Sequence, residues 1–94
     1  MLTEPLKPQE ARKLIQAILK GSTPVMSGHA LEELEKDKLI IGDVVNVLRG
    51  GAIDPAEFEN GSWRYRVRTN KIAVVVCFVS ETELCVVTTW RFKK

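Results

Sequence analysis

Residues 63–69, Trp-Arg-Tyr-Arg-Val-Arg-Thr, alternate apolar and basic side chains, and two residues later residues 72–79 form an unbroken apolar run rich in β-branched residues. A period of two marks a strand with one buried face, and a continuous β-branched run marks a strand covered on both. Asn70-Lys71 between them fits a two-residue hairpin turn, Asn being tolerant of positive φ. Pairing Thr69 with Ile72 sets Tyr65 opposite Val76 and Trp63 opposite Phe78. A one-residue slip would move every side chain to the other face, so the pattern constrains this register tightly. One face then carries Trp63, Tyr65, Val67, Ile72, Val74, Val76 and Phe78. The other sets Arg64, Arg66 and Arg68 beside Ala73, Val75 and Cys77.

Residues 84–90 predict a third strand, which can join in either of two parities. With Leu84, Val86 and Trp90 on the first face, Cys85, Val87, Thr89 and Arg91 share the second with the other arginines. The opposite parity pushes Arg91 toward the apolar side at a desolvation cost, so the first is expected. Trp63, Val74, Val76, Phe78 and Val86 are the expected core of the sheet.

Upstream the period changes. Ala11, Leu14, Ile15, Ile18 and Leu19 recur at helical spacing over residues 8–20, with Pro8 suited to the first turn and Gly21 to the stop. Val25-Met26 is a short extended piece. Ser27 can cap a second helix over about residues 28–38 with Leu31 and Leu34 facing inward. A third begins near Gly42-Asp43, buries Val44, Val47 and Leu48 and stops at Gly50-Gly51. These readings predict an α+β fold, N-terminal helices packed on one face of a three- to four-stranded antiparallel sheet, as one domain over residues 1–94.

Composition excludes several classes. A 45% hydrophobic and 28% charged chain is globular rather than disordered. The longest apolar run is far short of the roughly 18 residues of a membrane span. The acids and prolines of the first ten residues do not resemble a signal peptide, so a cytoplasmic location without membrane contact is expected. The net charge of +2 conceals a split: residues 1–61 carry 7 basic against 10 acidic side chains, and residues 62–94 carry 7 against 2. Such a bias suggests a surface that faces a polyanion, or else a solvated basic face.

No phosphate-binding glycine loop, paired-cysteine zinc spacing or nucleophile elbow is present. Cys77 and Cys85 fall opposite each other in the expected register, but only His29 stands available as a further soft ligand. They read as reduced core cysteines, with no metal or cofactor expected. His29, the one histidine, projects away from Leu31 and Leu34 on a regular helix. Arg64, Arg66 and Arg68 stand about 7 Å apart along one strand face, close to the spacing of successive phosphates. Guanidinium binds phosphate with paired donors, so contact with RNA competes here with a merely solubilising or edge-protecting role.

Ser27-Gly-His-Ala-Leu-Glu-Glu-Leu, then Gly42-Asp-Val-Val-Asn-Val-Leu-Arg-Gly-Gly, then Arg64-Tyr-Arg-Val resemble a small bacterial family of unassigned function over residues 26–91. Its pattern is a Ser-x-His-Ala helix start, a short helix ending in Leu-x-x-Gly, an Arg-Tyr strand and two closing strands. That family is similar to toxins of the MqsR and RelE type, which share a barnase-like fold and often sit beside antitoxins with a YgiT-type zinc finger. The resemblance implies a RelE/barnase-like fold and a toxin of a toxin–antitoxin pair that cleaves messenger RNA without metal. His29, Ala30, Arg64 and Tyr65 occupy the matching motif positions. The chain differs from better-known RelE toxins in lacking a lysine-rich catalytic patch and a long basic tail.

Metal-free RNA cleavage needs a base for the 2′-hydroxyl and donors for the phosphorane charge. Arg64, Arg66 and Arg91 are the expected charge stabilisers, His29 or a carboxylate such as Glu59 the proton acceptor. Arg64, Arg66, Arg68 and Arg91 are the expected RNA contacts, and Tyr65 a core residue with a polar tip. The alternative function is a non-catalytic RNA-binding or antitoxin-binding module of the same fold. A plain structural domain in a larger complex is a third.

Overall fold

The structure, a computed structural model, describes residues 2–92. Three helices precede most of the sheet: α1 Pro8–Gly21, α2 Gly28–Lys36 and α3 Ile41–Gly50, with β1 Val25–Met26 between α1 and α2. The strands β2 Ala52–Ile53, β3 Glu57–Glu59, β4 Ser62–Arg68, β5 Ile72–Phe78 and β6 Leu84–Arg91 follow. The sheet runs β1-β6-β5-β4-β2, and β3 pairs with the other end of β4. The fold is α+β as expected, with a sheet of six strands. Five pair antiparallel, and β1 lies parallel to β6 at the far edge.

The central register is the one the alternation dictates. Tyr65 faces Val76 and Val67 faces Val74. The hairpin closes with Thr69 N–H donating to Ile72 C=O at 2.9 Å. Its turn is held differently from expectation: Thr69 Oγ1 accepts the N–H groups of Lys71 and Ile72. Positive φ among the described non-glycine residues is confined to Lys38 and Asn60, so Asn70 does not use it. The hydroxyl makes the turn instead.

A second hairpin, between β3 and β4, turns on Asn60 (φ 50°) and Gly61 (φ 83°). Both central residues need φ > 0 in a type I′ turn, and Asn-Gly is the dipeptide that supplies it. Pro55 lies between β2 and β3 and offers no N–H to a ladder. The chain there lifts away from β4 and re-pairs at Glu57.

All three helices lie on one face. Ala11, Ile15 and Ile18 of α1, Ala30 and Leu34 of α2, and Val44, Val47 and Leu48 of α3 are buried against Tyr65, Val67, Val74, Val76, Phe78, Leu84 and Val86. On α2 the inward pair is Ala30 and Leu34, four residues apart, while Leu31 is 49% exposed. Trp63 is half-buried rather than buried, because it sits where β3 covers β4. There its ring meets Phe58 edge-on at 5.2 Å.

Tyr65 is fully buried. Its hydroxyl accepts the Leu6 N–H and donates to Glu4 Oε2, both at 2.9 Å, tying the N-terminal segment over the core. Burial, chiefly, pushes its pKa up from 10.0 to about 12. The neutral phenol is therefore favoured by folding. Its contribution is complete below the unfolded value and is lost as pH rises through the folded one. The chain has a single tyrosine, so tyrosinate absorbance reports this group alone. Folded protein should give no tyrosinate signal at pH 10.0, where the denatured chain is half ionised, and ionisation should arrive only towards pH 12. Ordinary titration in the folded state would show that the hydroxyl is not held in the core.

The third strand changes parity within itself. Phe78 faces Leu84, Cys77 faces Cys85 and Val76 faces Val86, but Val75 then faces Thr88. Val87 is the extra residue of a β-bulge. Ser27 holds this bulge: its N–H donates to Val86 C=O at 3.0 Å and its hydroxyl to Val87 C=O at 2.8 Å. The same hydroxyl oxygen accepts the Ala30 N–H and caps α2. Beyond the bulge Thr89 turns into the core, where its hydroxyl donates to Ala73 C=O.

Candidate functional site

The bulge corrects the placement of Arg91. It pairs with Ile72, on the helix side, and not with the arginine row. No buried charge results, because Arg91 lies exposed at the sheet's end. Its N–H donates to Asp37 Oδ2 at 2.9 Å and its Nε–H to the Asp37 carbonyl at 3.3 Å, at the C-terminus of α2. A cation there complements the helix dipole. The bulge also carries Trp90 in the other direction, opposite Ala73 on the arginine face.

Arg64, Arg66 and Arg68 do share that face, and each meets a carboxylate. Arg66 Nε–H donates to Asp54 Oδ2 at 2.8 Å, and Arg68 Nε–H to the same oxygen at 3.1 Å. Asp54 reaches them because the β2–β4 ladder, carried one step past the Ile53–Val67 pair, sets it opposite Arg66. Its own N–H donates to Arg66 C=O. Hydrogen bonds from Arg68, and next from Arg66, hold the Asp54 carboxyl below its ordinary value. Arg64, 17% exposed, donates from Nε to Ser62 Oγ at 3.0 Å and lies 3.6 Å from Glu59. Glu57 faces Arg64 directly across β3 and β4.

The expected open basic face is thus a mixed one, in which Asp54, Glu57 and Glu59 accompany the three arginines. Arg64 and Arg66, the three carboxylates, Val75 and Trp90 line a cavity of about 420 Å³, with Arg68 outside it. The acidic members lie on β3 and the loop before it, whose pairing with β4 follows from Asn60-Gly61. That dipeptide was the sequence signal for them.

His29 is not part of this cleft. It stands on the first turn of α2, its side chain is 62% exposed, and its Nε2 lies 3.9 Å from Glu33. Within Ser27-Gly-His-Ala, Ser27 and Ala30 have structural work that accounts for their presence: cap, bulge and close helix–sheet packing. Among the described residues no cluster of three or more His, Cys, Asp or Glu is arranged to hold a metal ion. No helix among them is long and apolar enough to cross a membrane.

The chain is therefore an α+β domain whose free sheet face bears an arginine–carboxylate cleft with one tryptophan. It belongs to the DUF4258 family, a domain of unknown function whose family model matches residues 26–91. The matched stretch takes in α2, α3, the cleft and the sheet from Met26 onward, and leaves α1 outside. No curated protein and no solved structure matches the chain.

Proposed function

We propose that the cleft binds single-stranded RNA and cleaves it without metal, as a ribonuclease toxin of the RelE or MqsR type held in check by a zinc-finger antitoxin. The observation that carries this reading is the juxtaposition of Arg64 and Arg66 with Glu59 and Trp90 around one cavity. Phosphoryl chemistry of this kind needs a base, fixed positive charge and a means of positioning the nucleotide, and the cleft contains a group for each. Glu59 takes the proton of the 2′-hydroxyl, and the 2′-oxygen attacks phosphorus. Arg64 and Arg66 neutralise the charge that grows on the phosphorane oxygens. The 5′-oxygen leaves with a proton from solvent, and a 2′,3′-cyclic phosphate remains. The ring of Trp90 offers a base a stacking surface beside the phosphate, a contact worth about 1–3 kcal/mol in single-strand binders. Arg68 adds a phosphate contact outside the reacting centre.

A second reading, an RNA-binding or antitoxin-binding module without catalysis, is favoured by the carboxylate partner at every arginine of the row and by the separation of His29 from them. Incubation of the pure protein with a long messenger RNA in EDTA distinguishes the two. Discrete fragments ending in 2′,3′-cyclic phosphate are expected. RNA retained intact but bound would establish the second reading instead.

A further inference from the structure

The chain has two cysteines, and β5 and β6 set them face to face: Cys77 and Cys85 are Cα partners in the antiparallel ladder. Directly opposed residues in such a ladder have Cα atoms about 4.5–5.5 Å apart, inside the roughly 4.4–6.8 Å window that a disulfide spans. Their side chains share the sheet face that carries the arginine row, away from the helices. Neither is fully buried, and both are free thiols. The Cys85 thiol donates to its neighbouring Val86 carbonyl at 3.7 Å, so no strong partner ties it down. Continuing the ladder one step from the Tyr65–Val76 pair sets Arg64 opposite Cys77. The thiols and that guanidinium therefore occupy one row across the sheet. Burial, and next the adjoining Cys85, push the Cys77 thiol up, while Arg64 pulls it down.

We propose that Cys77 and Cys85 form a reversible dithiol site, reduced in this structure, that closes to a cross-strand disulfide when a low-molecular-weight disulfide is the oxidant. The thiolate of one cysteine attacks a sulfur of that oxidant, forms a mixed disulfide and releases one small thiol. The second cysteine, after losing its proton, attacks the protein sulfur of the mixed disulfide and releases the other small thiol. The protein loses two protons and two electrons and gains one S–S bond, and the oxidant is reduced to two thiols. The opposed strands favour the second step over a second adduct, since the partner sulfur is already held beside the mixed disulfide. No part of this depends on what the cleft binds.

The test is equilibration of the full chain with excess oxidised glutathione. Thiols are then counted under denaturing conditions and the intact mass is measured. The expected result is loss of both titratable thiols, a mass lower by two hydrogen atoms, a monomer on a non-reducing gel, and full reversal by dithiothreitol. Cys77→Ser and Cys85→Ser should each stop at a single glutathione adduct. Two adducts on the wild type, disulfide-linked dimers, or two thiols that survive the treatment would each overturn the proposal.

Discussion

Replacing Phe78 by alanine is expected to cost about 3–5 kcal/mol of unfolding free energy, as for other buried aromatic truncations. Phe78 is 8% exposed, faces Leu84 across the β5–β6 ladder and meets the Tyr65 ring at a centroid distance of 5.1 Å. Alanine would leave a void on the helix side and strip Tyr65 of its aromatic neighbour. Total stabilities of small domains are about 5–15 kcal/mol, so the variant should stand close to unfolding. Chemical denaturation of wild type and Phe78→Ala gives the comparison. An unchanged midpoint would show that Phe78 is not in the core and that the strand register is wrong.

The second large effect is catalytic. Glu59→Gln should lower RNA cleavage by about 10²–10⁴-fold, the range for loss of a positioned general base. Arg64→Ala should lower it by roughly 10²–10³-fold, as when one transition-state donor is removed. Glu59 is 67% exposed, so its replacement should leave the denaturation midpoint almost where it was. Retained stability with lost cleavage separates a chemical role from a packing one. Cleavage by Glu59→Gln at the wild-type rate would remove Glu59 from the mechanism.

Much of the fold is legible in residues 62–78, because alternation with one buried face leaves a single register open to the β4–β5 hairpin. The apolar spacing of α1 and the Ser27 cap of α2 are equally direct. What sequence periodicity could not reveal is the Val87 bulge. The bulge is made by tertiary hydrogen bonds from Ser27, some 60 positions away, and strand alternation carries no mark of it. Its consequence is large for the site: it exchanges Trp90 for Arg91 on the arginine face. Glu59 is anticipated as a proton acceptor, but the pairing that sets it and Glu57 beside the arginines is not, for a simpler reason. Asn60-Gly61 is a strong hairpin signal, and reading it would have paired residues 57–59 with β4 and set Glu57 and Glu59 beside Arg64. Asp54 is different again, since it comes opposite Arg66 through the short β2–β4 pairing, which no turn dipeptide in the sequence marks.

The most direct measurement is RNA affinity across a salt series, for wild type and Arg66→Ala. Each phosphate contact on a single strand contributes a log–log slope of about −0.7 through counterion release. With Arg64, Arg66 and Arg68 engaged and Arg91 remote from them, the wild-type slope should be about −2 by the same rule. Arg66→Ala should flatten it by about one contact, with folding stability nearly unchanged because the side chain is half exposed. Identical slopes for the two proteins would mean that the row is a solvated, self-neutralised face and that RNA does not enter the cleft.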